Sequence, residues 1–88
     1  MPHPRFQALM PEHVTRAARL IEPKQIQKWS CIVLLDGKKR EFPVKQLLME
    51  AANLVKTTDS RVTPKDFIAH FAADKLEKLG FEVRYRED

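Results

Sequence analysis

The chain has 88 residues, a net charge of +4 and a hydrophobic fraction of 43%, which describes one small domain with a modest core and little room for a deep catalytic cleft. The longest unbroken apolar run, Cys31 to Leu35, is far too short to cross a bilayer, and the N-terminal MPHPRF is polar and proline-broken, unlike a secretory leader. A single cysteine cannot close an internal disulfide, so the expectation is a cytoplasmic protein with no membrane partner.

Pro2 and Pro4 disfavour regular structure at the start. Residues 1–9 are expected to be a flexible tail, with Phe6 or Leu9 available to touch the core, and residues 10–88 form one domain. Pro11 opens a helix, since a proline at the first helical position loses no hydrogen bond. Met10, Val14, Ala17, Ala18 and Ile21 recur at helical spacing as its core stripe, and Pro23 stops it. Lys24 to Lys28 is a basic connector. Trp29 to Leu35 is apolar on both faces, which makes it a central strand. Such a strand is either covered on both sides or packed on helices at one face and partly buried at the other. Asp36-Gly37 is a strong two-residue hairpin signal, and Lys38 to Phe42 is the returning, charged strand.

Pro43 begins the most amphipathic helix, with Val44, Leu47, Leu48, Ala51, Leu54 and Val55 on one face and Lys45, Gln46 and Met49 on the other. Thr57 to Val62 is a polar loop. Thr63-Pro64-Lys65-Asp66 reads as the cap and first turn of a third helix, which continues through Phe67, Ile68, Phe71, Ala72, Leu76 and Leu79 to a terminator at Gly80. Phe81, Val83 and Tyr85 then alternate with charge as a last strand beside the central one. The order α-β-β-α-α-β predicts an α+β domain, with a three-stranded antiparallel sheet packed against helices. The loop between the last two helices is too long for a helix-turn-helix.

No serine, cysteine or histidine set forms a usable constellation, and Cys31 lies inside an apolar strand, where a thiol behaves as a small hydrophobe. His3 and His13 lack nearby ligand types and His70 sits between Phe67 and Phe71, so no metal, cofactor, small-molecule substrate or enzymatic activity is expected. The charge is informative instead. From Lys24 to Lys45 there are six basic residues against two acidic ones, a surplus equal to the net charge of the whole chain. Charge gathered on one hairpin is an electrostatic footprint for an anion. Double-stranded DNA is the expected partner, with Lys24, Lys28, Lys38, Lys39, Arg40 and Lys45 on phosphates. Trp29, Arg40, Gln46 and Met49 are the candidates for base contact. The same basic residues are also what an edge strand uses to resist pairing, and the competing reading is a protein-interaction module that uses an exposed strand edge.

Trp29-Ser30, the run Val33 to Leu48 (VLLDGKKREFPVKQLL), Phe67 and Leu79-Gly80-Phe81-Glu82-Val83 together carry a resemblance. From about Pro11 to Val83 the chain is similar to the N-terminal module of McrA-like, methylation-dependent HNH restriction endonucleases. In that module's pattern Asp36-Gly37-Lys38 matches D-G-K, Phe42-Pro43-Val44-Lys45 stands for Y-P-P-K, and Leu79 to Val83 matches L-G-F-E-V. The pattern's glycine pair is replaced here by Ala69-His70, and the resemblance does not extend to a nuclease. It implies binding of double-stranded DNA with a preference for 5-methylcytosine, in a DNA-restriction setting with a partner nuclease. One small module makes few contacts, so a homodimer is the other expected arrangement.

Overall fold

The central strand β1 (Trp29–Leu35) is too apolar to lie at an edge, and it finds partners on both sides. In the computed structural model, which describes residues 3–86, β2 (Lys38–Pro43) and β3 (Glu82–Tyr85) pair with it antiparallel in the order β2-β1-β3. Asp36 and Gly37 have φ of 52° and 81°. Positive values at both positions are what a tight hairpin twisted with its strands requires, and the turn sets the register Leu35 opposite Lys38 and Cys31 opposite Phe42. Arg19 reaches the Asp36 carboxylate at 3.3 Å.

Side chains alternate across a strand, and the two faces of β1 differ. Cys31, Val33 and Leu35 are buried with Phe42 against helices α2 (Pro11–Leu20), α3 (Val44–Ala52) and α4 (Ala69–Lys78). The other face carries Ser30, Ile32 and Leu34 beside Lys39, Glu41, Glu82 and Arg84. There Leu34 is 62% exposed, so β1 is packed on helices at one face and only partly buried at the other. Ser30 is nonetheless buried. Its hydroxyl donates to Glu41 Oε2 at 2.6 Å, and Arg86 donates to Glu41 Oε1 at 2.6 Å, so one carboxylate ties the three strands together.

Helix boundaries follow local chemistry. The Met10 amide donates to His13 Nδ1 at 2.9 Å, which makes His13 a cap for α2. The helix ends at Leu20, where Ile21 turns extended, and Met10 and Leu20 stay exposed. Helix α3 ends at Ala52, and the Asn53 side chain pairs with both backbone groups of Val62 (2.7 and 3.1 Å), closing the loop between them. Gly80, at φ 98°, stops α4. Its amide donates to Glu77 O and that of Phe81 to Leu76 O, the paired closure that a left-handed residue permits.

Two expectations are corrected. The helix expected to run from Thr63 is broken. Pro64–Asp66 is a single 3₁₀ turn in which the Thr63 amide donates to Asp66 Oδ2 at 2.7 Å, a bond that holds the Asp66 carboxyl below its ordinary value. Phe67 and Ile68 are then extended, and α4 begins only at Ala69. The break lets Phe67 bury edge-on against Phe6, with ring centroids 5.4 Å apart, while Ile68 is left 66% exposed. A continuous helix would hold residues 67 and 68 on adjoining parts of one stripe.

Residues 3–9 of the segment expected to be a flexible tail are packed, and Met1 and Pro2 lie outside the described residues. Pro4–Gln7 forms the helical turn α1, with Phe6 and Leu9 in the core. The cause is Arg5. Its guanidinium is buried and donates to the carbonyls of Ala52, Val55, Asp59 and Ser60 at 3.4, 3.0, 2.8 and 2.8 Å. These groups lie at the end of α3 and in the loop beyond it, where backbone donors run out, and only a five-donor fork can serve them together. Arg5→Ala is expected to cost about 2–4 kcal/mol in urea denaturation, because it strands buried carbonyls. Arg5→Lys should recover less than half of that loss, since an ammonium cannot reproduce the fork.

Candidate functional site

At the end of the sheet remote from the hairpin turn, the 24–28 connector stands away from the start of α3 and leaves an open groove of about 810 Å³. One wall is the connector with Trp29 and Arg86. The opposite wall is Pro43 to Gln46 with Met49, and Pro64 and Ala69 close one end. Four cations line it (Lys24, Lys28, Lys45 and Arg86), and among the described residues no carboxylate does.

Gln46 builds the groove. Its side-chain amide accepts from the Lys24 amide at 2.9 Å and donates to the Glu22 carbonyl at 2.8 Å, as a neighbouring strand would. The connector's other end is held by the Arg86 amide, which donates to the Lys28 carbonyl at 2.7 Å. Lys45 is also committed, donating to the Pro64 carbonyl at 2.8 Å with its ammonium 5.3 Å from the Phe67 ring centre. Trp29 stacks on His70 (5.9 Å between centroids, planes 8° apart) and packs against Tyr85 at 4.6 Å.

The nine expected contact residues therefore divide. Lys24, Lys28, Trp29, Lys45, Gln46 and Met49 meet at the groove. Gln46 and Lys45 act there by holding backbone and Arg86 is paired with Glu41, which leaves Lys24 and Lys28 as its cations with neither a carboxylate nor a carbonyl partner among the described residues. Lys38, Lys39 and Arg40 are not part of it. Five residues along β2 separate Lys38 from Pro43, about 17 Å at strand spacing. Within the hairpin, Lys38 and Arg40 share the Phe42 face, with the Arg40 guanidinium 5.7 Å from the Phe42 ring centre, and Lys39 lies on the opposite face. The expected single patch is two clusters, because the length of β2 separates the hairpin tip from the groove, and alternation further divides Lys39 from Lys38 and Arg40 within the hairpin.

No protein family, curated protein or solved structure matches this chain.

Arg86, Ile26, Pro64 and Ala69 were not among the expected site residues. Arg86 closes the alternating run that begins at Phe81, a signal the sequence does carry, whereas Pro64 and Ala69 arrive only through the break before α4. Among the described residues, no cluster of three or more His, Cys, Asp or Glu side chains could hold a metal ion, and no helix is long and apolar enough to cross a membrane. Cys31 is fully buried. Burial, with a smaller push from Glu82, moves its thiol up from an ordinary 9.0 to about 12. The folded state thus keeps a proton that the unfolded chain releases, and this contribution to stability falls as pH rises from 9.0 toward about 12. Iodoacetamide at neutral pH should label Cys31 only after unfolding, as mass spectrometry would read.

Gln46→Ala should free the connector. The Lys24 amide is expected to exchange its hydrogen faster by roughly fivefold, matching the loss of a bond worth about 1 kcal/mol, while the amides of β1 keep their protection.

Proposed function

We propose that this domain is a non-catalytic DNA-binding module that touches the duplex at two places, the groove and the hairpin tip. The observation that carries the reading is the groove lining, concave and, among the described residues, cationic without a carboxylate. A concave basic surface concentrates anions more strongly than the same charge spread over a convex one. The hairpin adds Lys38, Lys39 and Arg40, which have no ion-pair partner among the described residues, while Asp36, the acid beside them, is paired with Arg19. Lys38 and Pro43 stand at opposite ends of β2, about 17 Å apart at strand spacing, so a duplex laid along the hairpin can meet phosphate-binding cations at both ends. Phosphate contacts of this kind supply affinity and register.

A preference for 5-methylcytosine fits the apolar part of the groove. Ile26 and Met49 give a methyl group an apolar surface to lie on, as the methyl of thymine is read elsewhere. The resemblance to the N-terminal module of McrA-like endonucleases points the same way, with a partner nuclease or a second copy supplying further contacts. Of the two sheet edges, the charge at Lys38, Lys39 and Arg40 disfavours a partner strand on β2; the rival reading of a protein-interaction module would use β3.

Fluorescence anisotropy with a short duplex, unmodified and 5-methylated, tests the proposal. With four to six phosphate contacts, a fourfold rise in salt is expected to weaken binding by on the order of 10²–10³. Lys24→Ala with Lys28→Ala should flatten the salt slope by about two, and Lys38→Ala with Arg40→Ala should do the same. Absence of binding to either duplex at low salt would remove DNA as the partner.

A further inference from the structure

We infer that the groove is a pocket for one unpaired nucleotide of a DNA strand, so that the module prefers duplex carrying a bulged nucleotide to duplex that is fully paired. The inference rests on the DNA-binding reading above and names what that groove takes in.

Shape is the first argument. Base edges of a paired duplex lie at the floor of its grooves and are read by elements that protrude into them. The residues at this site line a groove instead; the backbone of a paired duplex can lie along it, but a base can enter it only by leaving the helix. The groove is open, and its volume of about 810 Å³ leaves room for one nucleotide. The hairpin tip does protrude, but it presents Lys38 and Lys39, point charges suited to phosphates and poor at distinguishing bases.

Chemistry is the second. Ile26 and Met49 form an apolar surface, and the Lys24 and Lys28 ammonium groups stand in the connector wall. A flat ring with an attached phosphate matches that pairing. Among the described residues, the backbone groups of Gln25, Ile26 and Gln27 make no hydrogen bond within the chain, so the connector has donors and acceptors to offer a base edge.

The third argument is what the site lacks. The two side chains best suited to entering a paired helix are already occupied. Gln46 has both ends of its amide on backbone, and Trp29 is stacked on His70 and packed against Tyr85. Reading by insertion would undo the contacts that build the groove. Taking a nucleotide in leaves them in place, and the cost of leaving the stack is smallest for a nucleotide with no pairing partner.

The test is a set of anisotropy titrations of the full chain with three DNAs of one sequence: a paired duplex, the same duplex with one bulged cytidine, and the single strand. The bulged duplex is expected to bind at least roughly tenfold tighter than the paired one. Met49→Glu, which places a carboxylate in the recess, should bring that ratio toward one, with thermal unfolding confirming that the variant is folded. Free deoxycytidine monophosphate in large excess should not displace the bulged duplex, because it forfeits the hairpin contacts. Equal affinity for bulged and paired duplexes would overturn the pocket and leave the DNA reading standing. Failure to bind any of the three DNAs would overturn both. Ready displacement by the free nucleotide would overturn the assignment to a DNA strand.

Discussion

The constraint on which this structure rests is that β1 must satisfy two edges and an apolar face with very little chain. Cys31, Val33 and Leu35 demand a cover, and three helices of nine or ten residues provide it. Nothing in the described chain covers the other face. Its polar network therefore has to be internally complete, and Glu41 makes it so by accepting from both Ser30 and Arg86. That tie fixes where β3 ends, the end of β3 holds Lys28, and the held connector forms one wall of the groove. The site is thus a consequence of one-sided packing at the end of the sheet.

A second regularity is that the irregular segments are secured by side chains that act as backbone partners. Arg5 gathers four carbonyls, Gln46 binds the connector as a strand would, and Asn53 does the same for Val62. Backbone groups outside helices and strands must find partners or water. In a small domain with long connections, forked side chains supply those partners at little cost in length. It also explains what holds the groove's shape. Its wall is bonded at both ends, and among the described residues no buried side-chain nitrogen or oxygen lacks a partner.

Much of this was legible in the sequence where the signal is local. Asp36-Gly37 announced the hairpin because only certain residues accept positive φ, and Gly80 announced the end of α4 for the same reason. The apolar run from Cys31 to Leu35 announced a central strand. The misread parts are those decided by partners far along the chain. Arg5 reaches residues 47 to 55 positions away, and no spacing rule reports such a bond. Phe67 and Ile68 fit a helical stripe with Phe71 and Ala72, and only the Phe6 ring explains why the backbone there is extended. The site was legible as a charged region around Trp29 and the start of α3. Its division into groove and hairpin tip was not, because it depends on which end of β2 the 24–28 connector meets and on the Gln46 amide that holds it there.

The most direct test of the central claim is a map of backbone amide shifts, residue by residue, as a short DNA duplex is titrated into the labelled protein. The account predicts two separated sets of perturbed amides. One comprises residues 24–28, the start of α3 and Arg86, and the other comprises Lys38 to Arg40, with Ile32 and Leu34 on the open sheet face unmoved. Perturbations confined to that open face, or none at all at low salt, would contradict it.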